Sequence, residues 1–241
     1  MRCSSLSLQG KRDNNEDAVF TRMQEGYLPV AAVSDGMGGH AAGEIASGIC
    51  VSAMEEVSRT PSVDAQDMLI AAIDKANQQV LSAAWADPLK AGMGATLVAA
   101  VFHPDHFITA NVGDSRLYLL SGDNLKQITQ DHSYVQELVR LGILSPEKAK
   151  THPRRNMITR CVGSDSCEAD LFYTRWQQGD RVLLCSDGLS GPLSNLHIAA
   201  RMREIKDLDI LCQQLAEDAL RSGSTDNITL AIVENQGGEQ A

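Results

Sequence analysis

The chain has 241 residues, of which 43% are hydrophobic and 22% are charged. This length and composition are typical of a globular protein with one large domain or two small ones, and they argue against global disorder. Lys and Arg number 21 against 31 Asp and Glu, so the formal net charge is −10. An acidic chain is poorly suited to wrapping nucleic acid, because binding to phosphate backbones needs an excess of cations. The surplus of carboxylates therefore indicates either solubility or cation binding.

The cysteines do not show the C-x-x-C spacing of metal or redox sites, and several lie inside apolar runs. We expect buried, reduced thiols in a cytoplasmic protein rather than disulfides or a zinc site. The N-terminal residues lack the apolar segment of a secretory signal, and no apolar run reaches the ~18 residues of a membrane span. The sequence therefore predicts a soluble, cytoplasmic monomer that makes no membrane contact. The cysteines are Cys3, Cys50, Cys161, Cys167, Cys185 and Cys212.

Short apolar segments predict β-strands in antiparallel clusters. In one of them, Ile108, Ala110 and Val112 alternate with polar residues, which is typical of a half-buried strand. The segments 113–115 and 121–124 contain Gly, Asp and Ser or Asn, and they predict tight turns between antiparallel neighbours. The predicted strands are 18–23, 29–34, 94–102, 107–112, 116–120, 171–176, 181–186 and 228–233.

Apolar stripes predict long helices between these clusters. Apolar residues recur every three or four positions from 45 to 57 and again from 69 to 80. A third helix is expected to begin at about Asp207 and to stop at Gly223, and Ser145-Pro146 is typical of a helix N-cap followed by proline. Antiparallel strand clusters with helices between them favour a single-domain α+β sandwich with helices over the sheets, and they argue against a doubly wound fold.

Four aspartates lie where β-like runs or turns end, each beside Gly or Asn: Asp35, Asp114, Asp187 and Asp226. The simplest interpretation of any one of them is a turn residue that accepts local backbone hydrogen bonds. Twice, however, an apolar strand leads directly into Ser-Asp-Gly. Strands that end at the same edge would bring these carboxylates together, where they repel unless a cation neutralises them. Oxygen donors without converging thiolates or imidazoles favour Mg²⁺ or Mn²⁺, and the spacing of a calcium loop is absent.

A charged stretch, 11–17, precedes the first of the predicted strands. One interpretation of this stretch is a solvated turn. The other is that it forms part of the site, because Arg12 is able to bind an anionic oxygen through two donors and Glu16 and Asp17 add carboxylates. An arginine, a carboxylate cluster and hard metal ions together indicate phosphoryl-transfer chemistry.

Seven short motifs stand out along the chain: Arg12-x-x-Asn15-Glu16-Asp17, Asp35-Gly36-Met37-Gly38-Gly39-His40, Gly94-Ala95-Thr96, Gly113-Asp114-Ser115-Arg116, Asp131-His132-Ser133, Ser186-Asp187-Gly188-Leu189 and Asp226-Asn227-Ile228-Thr229. They occur in the order found in the metal-dependent protein phosphatases, and the chain resembles the compact bacterial form of that family, the protein phosphatase 2C type. The resemblance covers roughly residues 5–235. It implies a four-layer αββα sandwich in which two antiparallel sheets are flanked by pairs of helices.

The resemblance also implies a binuclear Mg²⁺ or Mn²⁺ centre with a weaker third ion. Asp35 would bridge the two ions, Gly36 would offer its carbonyl, and Arg12 would hold the substrate phosphate. Either Glu16 or Asp17 would reach the second ion, directly or through water. The remaining ligands by resemblance are Asp187 and Asp226 for the first ion, and Asp114 with Asp187 for the third.

The implied reaction is hydrolysis of phosphoserine or phosphothreonine in proteins by a metal-activated water, with serine/threonine kinase targets as substrates. Eukaryotic relatives carry a histidine where this chain has Met37, and His40 fits the bacterial pattern as either a structural or a catalytic residue. By the same resemblance, the stretch 133–163 would correspond to the mobile flap beside the active site of bacterial relatives. Its basic segment 152–155 is interpretable as a phosphopeptide contact or as a solvated turn.

Two other functions stay open on the sequence. One is a metal-dependent phosphohydrolase of small phosphorylated metabolites, which would share the same site chemistry. The other is a non-catalytic phosphoprotein-binding relative, a class that usually loses metal carboxylates. Because Asp35, Asp187 and Asp226 are all present, this last function is the least favoured.

Overall fold

A computed structural model describes residues 1–39, 42–59, 64–165 and 167–237. The described residues form eleven strands and seven α-helices, with a short 3-10 turn at Pro88–Lys90. The strands are β1 Arg2–Leu8, β2 Asp17–Arg22, β3 Val30–Met37, β4 Gly94–Ala95, β5 Leu97–Phe102, β6 His106–Val112, β7 Arg116–Ser121, β8 Asn124–Gln127, β9 Asp170–Arg175, β10 Arg181–Cys185 and β11 Ile228–Glu234. The helices are α1 Ala42–Val57, α2 Ala65–Ala86, α3 Tyr134–Arg140, α4 Pro146–Ala149, α5 Asp187–Ser190, α6 Asn195–Glu204 and α7 Leu208–Arg221.

The strands form two antiparallel sheets, as the sequence predicts. One sheet has the order β1-β11-β10-β7-β8, and the other has the order β2-β3-β5-β6-β9 with β4 paired to β3. Both sheets combine strands from distant parts of the chain, such as β1 beside β11. The two chain ends are therefore held in the same sheet.

Apolar side chains on both faces of the central strands create three packed layers. In β3, Val30 and Ala32 pack with α1 and α2, whereas Ala31 and Val33 face the other sheet. In β10, Leu183 faces α6 and α7 while Val182 faces the opposing sheet. Strands buried on both faces become continuous apolar runs, which is why they are easy to recognise in the sequence. The resulting order of layers is the predicted αββα sandwich.

One predicted turn is wrong. Residues 113–115 do not join antiparallel neighbours, because β6 lies in one sheet and β7 in the other. The chain crosses between the sheets here, with Gly113 at a φ of 107° and so close to Thr96 that a Cβ would lie 2.6 Å from the Thr96 side chain. Only glycine accommodates this backbone and this approach. The second predicted turn is confirmed, since Ser121 pairs with Asn124 in the hairpin of β7 and β8.

The predicted helix ends are confirmed. The Asp207 side chain accepts hydrogen bonds from the backbone N–H groups of Asp209 and Ile210 at the start of α7, and Gly223 follows the last turn. Ser145 caps α4, whose first residue is Pro146. Such caps satisfy the N–H groups that a first helical turn leaves unpaired.

The expectation of buried thiols is met only in part, because Cys3, Cys161 and Cys167 are half-buried. All six cysteines are free thiols, and Cys50, Cys185 and Cys212 are buried. Within the ranges given above, no helix is both long and apolar enough to cross a membrane.

Candidate metal and phosphate site

Strand pairing brings Asp17 and Asp35 face to face. They are directly opposite in the antiparallel pair of β2 and β3, so their side chains share one face of the sheet. This is the face of Val19 and Val33, which points between the two sheets. Asp17 is 9% exposed and accepts a hydrogen bond of 2.7 Å from the Ser186 hydroxyl of the opposing sheet. The pleat therefore directs both carboxylates to the end of the sandwich where the sheets meet.

Two small hydroxyl residues fix the backbone of Asp35. The Asp35 N–H donates to the Thr96 hydroxyl at 3.0 Å, and the Thr96 N–H donates back to the Asp35 carbonyl at 2.8 Å. The Thr96 hydroxyl also lies 2.7 Å from the Ser115 hydroxyl. The sequence motifs contain Thr96 and Ser115, but the sequence assigns neither a role. Their only signal is a polar residue inside or beside an apolar strand.

Asp187 and Asp114 approach the same place from the opposing sheet. β10 ends at Cys185, and Asp187 opens the short helix α5, where its carboxylate is within hydrogen-bonding reach of Asp35. Asp114 lies just beyond the Gly113 crossover. Among the neighbouring charges, that of Asp187 raises the pKa of Asp114 the most. Arg116 lies nearby, and its positive charge offsets part of the rise that burial and the other carboxylates cause in the pKa of both groups. Two of the four aspartates identified in the sequence, Asp114 and Asp187, therefore lie at the same edge of this sheet.

Asp226 and Arg12 are joined directly. An Arg12 guanidinium nitrogen lies 2.8 Å from an Asp226 carboxylate oxygen, and the Arg12 side chain is 57% exposed. The neighbouring Asn227 ties the loop before β2 to the loop before β11. Its side-chain oxygen accepts from the Glu16 N–H at 2.9 Å, and its amide donates to the carbonyls of Gln9 and Asn14 at 2.7 and 2.8 Å. No local sequence pattern indicates this role of Asn227, although the residue belongs to the motif Asp226-Asn227-Ile228-Thr229.

Glu16 and Gly36 meet the start of α1. The Gly36 N–H donates to the Glu16 carbonyl at 3.0 Å. The Glu16 carboxylate lies against Gly43, where an added Cβ would come within 2.6 Å of a Glu16 oxygen. An added Cβ at Gly36 would overlap the Gly43 carbonyl oxygen. The two glycines therefore let the helix, the strand end and the glutamate pack together without space between them.

The carboxylates raise one another's pKa values. Removal from water is the largest cause for Asp17 and Asp114, and it raises the pKa of each to about 7. The pKa of Asp35 is raised well above its ordinary value by burial and by the charges of Asp17, Asp187, Asp114 and Asp226. The pKa of Asp187 is raised by burial and by Asp226. A half-buried group of acids with this much mutual repulsion binds either protons or cations.

The donor set fits a hard divalent cation. The converging groups are carboxylates, without a thiolate or imidazole among those that the structure describes, and such oxygen donors suit Mg²⁺ or Mn²⁺. In the part of the chain that the structure describes, no three acidic, His or Cys side chains already form a closed ligand set. His40, a predicted catalytic residue, lies outside the described residues.

A cleft of about 740 Å³ opens beside the aspartates. Asp114 and Asp187 line one part of it, and α3, α4 and the start of α6 line the rest. The 133–163 segment is tied to the sandwich by β-bridges from Ser133 to Ile158 and from Ala95 to Val162. The stretch predicted as a flap therefore forms a wall of the cleft.

Comparisons with known proteins agree on the family. A sequence profile described as protein phosphatase 2C matches residues 7–222. The serine/threonine protein phosphatase PstP of Mycobacterium tuberculosis is 38% identical over 224 residues, which are 92% of this chain and 42% of PstP. The serine/threonine phosphatase stp of Listeria monocytogenes is 36% identical over 229 residues, which are 92% of this chain and 91% of that protein.

Solved structures give the same result. The crystal structure of the M. tuberculosis phosphatase PstP/Ppp superposes with a TM-score of 0.89 at 38% identity and covers 97% of both chains. A structure of the PstP catalytic domain in complex with two manganese ions has a TM-score of 0.86 at 36% identity, with 97% of both chains covered. The chain spans less than half the length of full PstP. On profile, sequence and fold alike, this chain belongs to the protein phosphatase 2C family.

Proposed function

We propose that the chain is a metal-dependent serine/threonine protein phosphatase that hydrolyses phosphoserine and phosphothreonine esters. The observation that carries this proposal is the cluster of half-buried aspartates between the sheet ends, with Arg12 at its exposed rim. The relatives of similar length and fold are named as serine/threonine phosphatases. Six reduced cysteines suit the cytoplasm, where phosphorylated targets of serine/threonine kinases would be the substrates of a monomeric enzyme.

The acidic cluster would hold two divalent ions and a weaker third. Asp35 is the candidate bridging ligand, because its carboxylate experiences the charges of all the other aspartates of the site. Asp187 and Asp226 would complete the first ion's ligands, Gly36 would offer its carbonyl, and Asp114 would share the third ion with Asp187. When bound, such ions offset the phosphate charge and acidify coordinated water.

Of the two acidic residues, Glu16 is our candidate for the direct ligand of the second ion. The Asp17 carboxylate already accepts a hydrogen bond of 2.7 Å from the Ser186 hydroxyl. Among the described residues, none donates a hydrogen bond to the Glu16 carboxylate, which keeps its oxygens available. Asp17 would then lie behind the direct ligands, where it is held by its hydrogen bond with Ser186.

Arg12 is the candidate phosphate-binding residue. Its guanidinium has five donors, only some of which are needed for Asp226, and its exposure leaves the others facing the solvent side of the cluster. A planar guanidinium pairs well with two phosphate oxygens at once. Arg12 thereby orients the ester so that its phosphorus faces Asp35. His40 stays a candidate proton donor to the leaving serine or threonine oxygen.

The cleft distinguishes the leading function from its alternatives. The cleft of about 740 Å³ beside the carboxylates is also lined by α3, α4 and the start of α6, which offers a peptide segment contacts beyond the phosphate itself. A non-catalytic binding function is disfavoured because the complete set of aspartates is present.

The proposal is tested by phosphate release from a phosphothreonine peptide, with Asp187→Asn beside the wild type. Treatment with EDTA is expected to abolish activity, and Mn²⁺ to restore it. Asp187→Asn is expected to lose at least about 100-fold in kcat/KM, since even outer-shell partners of metal ligands cost 10–100-fold. Asp123→Asn, in an exposed turn with its side chain 94% exposed, serves as the control and should retain activity.

Three outcomes contradict the proposal. Activity that survives EDTA, or an undiminished Asp187→Asn variant, excludes the metal-dependent mechanism. Faster hydrolysis of free phosphorylated metabolites than of phosphopeptides supports the small-molecule alternative.

A further inference from the structure

The 133–163 segment has the opposite charge to the rest of the molecule. It contains six Lys and Arg against two Glu, within a chain whose net charge is −10. The remainder of the protein is therefore even more acidic than the total indicates. Hydrolysis of a phosphate ester does not by itself require a positively charged cleft wall beside the acidic site.

Two of these cations line the cleft. Lys150 and Arg155 share the cleft with Asp114 and Asp187. The adjacent Arg154 is placed differently, since its guanidinium lies over the Tyr134 ring at 5.6 Å. The backbone N–H of Arg154 also donates to a His152 ring nitrogen at 3.1 Å, which fixes the turn. The structure thus separates two neighbouring arginines into one that faces the cleft and one that packs on the segment.

Lys150 and Arg155 are exposed, and neither forms an ion pair with a described residue. Other cations of the same segment are paired: Arg140 lies 2.9 Å from Glu137, and Arg160 lies 2.9 Å from Asp170. A cation that has no acidic partner in an acidic protein is available to an anionic ligand. Both cations share one continuous cleft with the proposed reaction site, so the same ligand is able to reach both places.

We propose that Lys150 and Arg155 select phosphoprotein substrates in which acidic residues flank the phosphorylated residue. The inference rests on the proposed phosphatase activity and adds its substrate class. The occupant of the cleft is an extended acidic phosphopeptide, whose negative side chains meet these two cations while the phosphate lies at the aspartate cluster. The rest of the chain has 15 Lys and Arg against 29 Asp and Glu, so the 133–163 segment is a region beside the proposed reaction site whose charge complements such a peptide.

The test compares two phosphothreonine peptides that differ only in flanking residues, Glu in one and Gln in the other. The wild type is expected to prefer the Glu peptide by about tenfold in kcat/KM at low salt. Lys150→Gln and Arg155→Gln should each reduce this preference by about two- to fivefold, as is usual for exposed charge pairs, and the double variant should abolish it. Raising NaCl to 0.5 M should reduce the wild-type preference through screening.

Two matched variants test which part of the surface produces the preference for the Glu peptide. Arg175→Gln removes the same charge at the far end of β9 and should retain the full preference. Arg154→Gln tests the neighbour that does not line the cleft, and it should reduce the preference less than Arg155→Gln does. The Gln peptide is the internal reference, because a merely destabilised enzyme loses activity on both peptides equally.

Equal rates on the two peptides, or equal losses in Arg154→Gln and Arg155→Gln, would overturn the inference and leave the phosphatase activity intact. Failure to hydrolyse either peptide in the presence of Mn²⁺ would instead overturn the proposed function. The two failures are therefore distinguishable in one set of assays.

Discussion

At the residue scale, the Arg12 side chain lies between the acidic cluster and the solvent. Its contact with Asp226 at 2.8 Å neutralises part of that carboxylate's charge, while the side chain stays 57% exposed. A partly exposed arginine of this kind contributes little to stability, because surface ion pairs are worth only about 0–1 kcal/mol. Its position is better explained by an anion that arrives from solution.

Arg12→Ala is therefore expected to raise KM for a phosphopeptide about tenfold and to lower kcat less. The interaction is formed with the phosphate already in the ground state, so its loss weakens substrate binding more than it slows the chemical step. Steady-state kinetics measure both constants. Affinity for Mn²⁺, measured by calorimetry, should not fall, because the variant removes a cation from beside Asp226.

Lys11→Ala is the natural control, as it removes the adjacent positive charge and leaves Arg12 in place. An unchanged KM in Arg12→Ala would refute a phosphate-binding role. A large loss of Mn²⁺ affinity would show instead that Arg12 supports the metal ligands.

At the element scale, the site depends on how closely short elements approach each other. Helix α5 begins at Asp187, and the next residue, Gly188, lies against the loop that carries Asp226. A Cβ at Gly188 would overlap the backbone carbonyl oxygen of Asn227 and would lie 3.3 Å from the Asp226 Cβ. Backbone atoms cannot move aside as a flexible side chain can, so the loop and the helix must separate if a methyl group is added.

Gly188→Ala is accordingly expected to destabilise the protein by about 1–3 kcal/mol, the usual cost of overpacking, and to weaken Mn²⁺ binding. Urea unfolding and calorimetric titration measure the two effects. Gly48→Ala, inside α1 where an added Cβ meets no atom within 4 Å, is the matched control. It should be neutral or stabilising by up to about 1 kcal/mol, since alanine favours helix over glycine. Equal behaviour of the two variants would show that the close approach at Gly188 is unimportant.

The same elements show which parts of the fold the sequence can predict. Strands such as β5 and β10 are buried on both faces, so their apolar runs are unmistakable. The sequence did not predict β1 and β8, because both are edge strands with few apolar residues that gain their stability from a neighbour in the sheet. The crossover at Gly113 was predicted as a hairpin, because local turn residues do not reveal which sheet the next strand joins.

The site divides in a similar way. Asp35 and Asp187 are predictable because Asp35 lies near the end of the apolar strand β3 and Asp187 follows the apolar strand β10. The roles of Thr96, Ser186 and Asn227 are not, because their hydrogen bonds join segments that are far apart in the sequence. Such contacts depend on which strands pair and on how the two sheets pack, and no local pattern encodes either.

At the scale of the whole molecule, sheet packing encloses acidic groups that repel each other. Asp114 has a folded-state pKa raised to about 7, far above its ordinary value of 3.8. Between these two values the folded protein binds a proton that the unfolded chain does not bind. By linkage, the free energy of unfolding falls as the pH rises through this range, and it levels off above pH 7. Asp17, also raised to about 7, acts in the same direction.

Metal-free protein in EDTA is therefore expected to be less stable at pH 8 than at pH 6, by on the order of 1 kcal/mol for each such carboxylate. His103, whose pKa is lowered mainly by burial, opposes this trend, but its ordinary pKa of 6.5 confines its effect to the lower part of the range. Urea unfolding at the two pH values measures the difference. Mn²⁺ should stabilise the protein at both, and more at pH 8, because cations then replace protons that no longer bind.

The variant Asp114→Asn isolates the carboxylate's share of the effect. It should reduce the fall in stability between pH 6 and pH 8 in EDTA, because the amide neither titrates nor repels Asp187. Asp123→Asn, at an exposed turn, should leave the fall unchanged. Stability that rises from pH 6 to pH 8 in EDTA, or an equal fall in both variants, would contradict the assignment. The cost of enclosing the acids would then reside elsewhere, and the sandwich would not need a bound cation to relieve it.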